Sequence, residues 1–167
     1  MFDWLKKGAP QQSPEDEILL GAVIHALPQA DAETQRIVAA TAGLLSSVAY
    51  ADRNFSQVEE RRVVEILQTI DGLGTEGAAL IQRTLKQSAL TFSTVHAARF
   101  SRTLRELADR DLRCQVLALL VEVAAADAEI THQEVTVLRQ LTTALGLEQA
   151  DYNAAQQLHK DKLTSLR

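Results

Sequence analysis

The sequence predicts an all-α fold, a single-domain bundle of about eight helices built from two pseudo-symmetric helical repeats. Three observations carry that expectation. Only 7 Gly, 3 Pro and 4% aromatic residues accompany many Ala, Leu, Gln and Glu, a composition that favours helix over strand. Apolar residues recur at i, i+3, i+4 and i+7 along most of the chain. The stretch Ala51-Asp52-Arg53-Asn54-Phe55-Ser56-Gln57-Val58-Glu59 returns 75 positions later as Ala126-Asp127-Ala128-Glu129-Ile130-Thr131-His132-Gln133-Glu134. In the same frame Leu44, Leu45, Val48 and Ala49 fall on Leu119, Leu120, Val123 and Ala124, the mark of an internal duplication. At 167 residues the chain is long enough for one core and short for two.

The elements follow in order. Residues 1–13 read as a tail and linker, and 14–167 as the helical domain. In the tail, Phe2, Trp4 and Leu5 beside Lys6 and Lys7 form a candidate anchor for a partner or an anionic membrane surface. The simpler reading is a tail whose Trp packs on the domain. Ser13-Pro14-Glu15-Asp16-Glu17 supplies an N-cap, Pro at the first helical position and acids in the first turn. That helix carries Leu19, Ala22, Val23 and Ala26 and stops at Pro28.

The first repeat spans about 32–88. Its opening helix starts after Asp31 and runs to about Tyr50, apolar on more than one side, which suits a central helix. After the Asp52 turn, Ser56-x-x-Glu59 is a capping box, and Val63, Ile66, Leu67 and Ile70 face inward. Gly72 and Gly74 stop that helix, and Thr75-Glu76 opens another. A helix from Ser93 or Thr94 runs through Val95, Phe100, Leu104 and Leu107. It carries Arg99, Arg102 and Arg105, interleaved with acids and without an aromatic platform. That reads as a solvated face with local ion pairs, with no nucleic-acid binding expected.

The second repeat, about 111–163, starts near Asp111 or Leu112 with an apolar helix to Ala126. The capping box recurs as Thr131-x-x-Glu134, with Ile130 and Val135 placed as a hydrophobic staple. Gly146 stops this helix, and a last one runs from about Glu148 towards Lys162.

Asp52, Glu59, Asp127 and Glu134 are the candidate metal ligands. If the two copies bring them together, their oxygens select a hard ion such as Ca²⁺, Mg²⁺ or Mn²⁺. The competing reading assigns both Glu residues to helix capping and both Asp residues to local turns. Neither turn is an EF-hand, since Gln57 and His132 stand where Gly is required. His25, His96, His132, His159 and Cys114 show no ligand spacing, which disfavours Zn²⁺. No catalytic residue is assigned, because nucleophile, phosphate-loop and HExxH patterns are absent. The net charge of −5 excludes an obvious polyanion binder, the single Cys fits a reducing cytoplasm, and no leader or spanning segment is expected.

The repeated element resembles that of the tellurite-resistance TerB family and of the TerB-like domains in membrane-anchored J-domain co-chaperones. Their pattern is an apolar helix ending in Ala-Asp-Gly, then an apolar residue, Ser or Thr, and Glu three positions later. Here it reads Ala51-Asp52, Phe55, Ser56, Glu59 and Ala126-Asp127, Ile130, Thr131, Glu134, followed by Leu145-Gly146-Leu147. Arg53 and Ala128 stand where the family usually has Gly. The resemblance implies an all-α bacterial domain with an acidic, metal-binding surface. It also implies a role in tellurite and stress resistance through protein partners at the inner membrane face. The expected function is a non-enzymatic module of that kind. The alternative is a metal-dependent hydrolase with Asp52 and Asp127 as ligands and Glu59 or Glu134 as base.

Overall fold

The computed structural model describes residues 13–53, 56–88, 94–127 and 129–159. The candidate anchor residues Phe2, Trp4 and Leu5 lie outside them, as does the expected run of the last helix to Lys162. The described residues form eight helices: α1 Pro14–Ala26, α2 Ala32–Ala49, α3 Gln57–Gln68, α4 Gly74–Ser88, α5 Thr94–Leu107, α6 Arg110–Ala124, α7 His132–Ala144 and α8 Gln149–Gln157.

Local chemistry sets most boundaries. Ser13, Asp31, Ser56, Asp109 and Thr131 each take extended φ/ψ, and their side chains accept an amide hydrogen bond from the first turn that follows. The Asp109 cap starts α6 at Arg110, slightly ahead of the expected Asp111 or Leu112, because Asp109 Oδ1 captures the Leu112 amide at 2.8 Å. Two further boxes use Asp in the position usually held by Glu: Asp16 answers Ser13, and Asp151 answers the Glu148 amide at 2.8 Å. Gly146 ends α7 at φ 69°. The Leu147 amide donates to Thr142 O and the Gly146 amide to Thr143 O, both at 3.0 Å, a Schellman closure.

α2 is the axis of the molecule. It packs on α1, α3, α4, α5, α6 and α7, and nearly all of it from Val38 onward is buried. Its run Ala39-Ala40-Thr41-Ala42-Gly43 leaves room for α5, whose Phe100 ring lies over Gly43. α6 packs on α2, α3, α7 and α8. Its inner side buries Val116, Leu117, Leu120, Val121 and Val123, while Leu119 is only half-buried. Each repeat is thus an apolar helix, a turn and a capped helix. The two units pack crosswise as well as internally, α2 on α7 and α3 on α6.

Arg99 of the expected solvated ridge, and Arg110 and Arg113 of α6, tie distant segments together. Arg99 meets Asp16 of α1 at 3.5 Å, Arg110 meets Asp151 of α8 at 2.6 Å, and Arg113 Nη1 donates to Leu145 O at 2.6 Å. Sequence proximity suggested local pairing, whereas in the fold Arg99 reaches α1 and Arg110 reaches α8. Val95, expected along the apolar run of α5, is exposed at that helix's start.

Candidate functional site

The two turns and the helix starts that follow them define the site. In the first copy, the Ala51 amide donates to Val48 O and the Arg53 amide to Tyr50 O, both at 3.0 Å. Arg53 sits at φ 62°, the left-handed region. The turn that the family builds with Gly is therefore kept, with an L side chain held where it is disfavoured by roughly 1 kcal/mol. Arg53→Gly is expected to raise the unfolding free energy by about 0.5–1 kcal/mol, read by urea denaturation. A decrease would show that the Arg53 side chain itself holds the turn. In the second copy the Ala126 amide donates to Val123 O at 3.1 Å, while Ala128 lies outside the described residues.

Both capping boxes form. Ser56 N donates to Glu59 Oε2 at 3.0 Å, and Glu59 N donates to Ser56 Oγ at 3.1 Å. In the second copy Thr131 N donates to Glu134 Oε2 at 2.7 Å, and Glu134 N donates to Thr131 Oγ1 at 3.2 Å. Ile130 is buried and Val135 half-buried against the core, as a staple requires.

Unlike ordinary capping residues, these two glutamates are sealed, with 1% of Glu59 and 2% of Glu134 exposed. Their carboxyl groups also face each other. Glu59 Oε1, the oxygen not used in capping, is buried without a donor. Two ionised carboxylates can only accept, so a hydrogen bond between them requires a proton on one. Burial, then the contact with Glu134, pushes the Glu59 carboxyl up to about 8 against the opposing pull of the Ser56 amide and hydroxyl. At neutral pH the Glu59 carboxyl therefore stays protonated and can share its proton with the facing Glu134.

Asp52 and Asp127 are half-buried in their turns. Among the described residues no three His, Cys, Asp or Glu side chains gather closely enough to hold a metal ion. Of the four expected ligands, the fold brings together the two glutamates and does not complete a set of three. The sequence carried one signal for this pairing, since Glu59 and Glu134 occupy equivalent places in the repeat. It gave none for the Arg62–Glu122 bridge between α3 and α6 at 2.8 Å. That bridge floors a groove of about 280 Å³ lined by Val58, Arg61, Glu65, Ala125 and Ala126, with Val58 47% exposed. No helix among the described residues is long and apolar enough to cross a membrane.

A helical domain made of two turn-and-capped-helix units, clasped by a buried acid pair, is the class of protein that fold and site define. The chain belongs to the tellurite-resistance TerB family: the family model described as "Tellurite resistance protein TerB" matches residues 38–157, which contain most of both repeats and both capping boxes. No curated protein and no solved structure matches the chain.

Proposed function

We propose that this chain is a non-enzymatic module that works by holding a protein partner, in a bacterial stress or tellurite-resistance setting at the inner membrane face. One observation carries the non-enzymatic part: Glu59 and Glu134, the strongest candidates for a general base, are closed inside the core and bonded to helix starts. A base must reach the proton that it removes. The acids that mark the family therefore serve this chain as a clasp, which weighs against the metal-dependent hydrolase. The groove beside the clasp, with exposed Val58 and Arg61 at its rim, is the surface offered to the partner.

The test is complementation of tellurite sensitivity in a strain lacking the protein, with cross-linked complexes recovered in parallel. Wild type is expected to restore growth and recover a discrete partner. Val58→Asp with Arg61→Glu is expected to lose both while melting normally. Full rescue by that variant would remove the groove from the function.

A second reading is favoured by one atom, Glu59 Oε1, buried beside Glu134 without a donor. Loss of the shared proton would leave two carboxylates able to hold a hard divalent cation such as Ca²⁺, Mg²⁺ or Mn²⁺. The fit is partial, because such ions take six or more oxygens and each glutamate already gives one to a helix start. Metal-stripped protein melted with each ion separates the readings. The clasp predicts no shift beyond that of Glu59→Gln, whereas a cation site predicts a rise in midpoint with ion concentration that Glu59→Gln abolishes.

A further inference from the structure

α1 carries large apolar residues on both its inner and its outer side. Leu19 and Val23 are fully buried, yet Ile18 and Ile24 on the opposite side are 57% and 45% exposed. Large apolar side chains on the face of a helix turned away from the core are normally covered by something else. Between those isoleucines, on the centre line of the exposed face, stands Gly21. A Cβ added there would meet nothing within 4 Å, so nothing in the described fold requires glycine at this mid-helix position. Glycine is the poorest helix former after proline, and what it does provide is close approach of another backbone. One turn to either side of Gly21, on the same i±4 row, lie Glu17 and His25, both exposed and neither in an ion pair among the described residues.

We propose that the outer face of α1 is a homodimer seam, in which two copies cross antiparallel at Gly21 with Glu17 of each facing His25 of the other. The row Glu17–Gly21–His25 is a ridge of residues spaced four apart, inclined at roughly 26° to the helix axis. Laying this row along its copy in the opposite sense crosses the helices at about 50°, the commonest packing class. That crossing stacks Gly21 on the partner's Gly21, where the missing side chains let the backbones approach. It places Ile18 beside the partner's Ile18 on one flank and Ile24 beside the partner's Ile24 on the other. At each end an imidazole N–H meets a carboxylate, so the face is complementary to itself in shape and in polarity. A second copy is favoured over an unrelated helix because donor and acceptor stand at equal distances from the glycine, the arrangement a two-fold axis demands. Val95 adds an exposed apolar side chain near the same end of α1, next to His96, which meets Glu15 at 3.6 Å. An interface resting on one helix of 13 residues is small, so the dimer belongs to the weak class and forms at high micromolar protein.

The seam is independent of the partner-holding reading and is tested on the full chain by sedimentation velocity and light scattering from roughly 5 to 500 µM. Wild type is expected to pass from the 18.3 kDa monomer towards twice that mass. Gly21→Leu, which improves helix propensity and should melt no lower than wild type, is expected to weaken association at least about tenfold. Glu17→His and His25→Glu should each weaken it, and the double exchange should restore it to within roughly threefold of wild type. A chain that stays monomeric over the whole range overturns the proposal and gives the face to another occupant, such as the chain's own residues 1–12. Association untouched by Gly21→Leu places the contact elsewhere and overturns it equally, and failure of the double exchange overturns the antiparallel arrangement.

Discussion

Replacing Glu59 with Gln is expected to make the protein more stable at alkaline pH, and to abolish a loss of stability that wild type suffers between about pH 5 and pH 8. The sign follows from the proton count. In the unfolded chain the Glu59 carboxyl titrates near its ordinary 4.5, and in the fold it is raised to about 8. Between those values the folded state keeps a proton that the unfolded state has released, so each step up in pH favours unfolding. The contribution is complete below the unfolded value and gone above the folded one. Gln carries the same shape with a permanent donor: its amide N–H₂ bonds Glu134 while its oxygen accepts from the Ser56 amide. At pH 9 the variant should exceed wild type by on the order of 2–4 kcal/mol, and near pH 4.5 the two should converge. Glu15, Asp31 and Asp151 do not obscure the window. Backbone hydrogen bonds hold these carboxyls below their ordinary range, so their effect falls at acid pH and has the opposite sign. Urea unfolding at pH 5, 7 and 9 in metal-free buffer gives the answer. Parallel curves for the two proteins would mean that the acid pair shares no proton.

The second large effect belongs to Gly43. Its α-hydrogen side faces the Phe100 ring, and a Cβ there would overlap it, 2.6 Å from Cδ2 and Cζ. The ring cannot swing away, because Phe100 is buried and α5 is pinned along α2. Gly43→Ala is therefore expected to destabilise by about 3 kcal/mol, despite the better helix propensity of Ala, and to lower the midpoint by roughly 6–12 °C. Phe100→Leu in the same chain should recover part of the loss, and a double-mutant cycle would measure the coupling. Additive effects of the two changes would show that α2 and α5 do not meet at this point.

What the sequence made legible is what neighbouring residues decide among themselves. Ser56 with Glu59 and Thr131 with Glu134 lie three residues apart, so the capping boxes and the helix starts could be read directly. The long apolar face of α2 announced a helix covered on several sides. Gly43 carried no such signal, because its role exists only once Phe100, far along the chain, is packed over it. Arg53 pointed away from a left-handed turn, and the fold imposes one regardless, since the contacts of α2 and α3 outweigh the preference of one side chain. The four acids were legible as a repeated set. Which of them would meet depended on how α3 approaches α7, a matter of tertiary packing.

The crosswise arrangement of the repeats also bears on ancestry. A lone half, one apolar helix with its capped successor, would expose the face that the other half covers and leave its glutamate without the opposing carboxyl. A half-length forebear of this chain could bury that face only against its own twin, with the two equivalent glutamates meeting at the dyad. Fusion of such twins into one chain would make that encounter a permanent intramolecular contact and leave the two acids, and the residues around them, free to diverge.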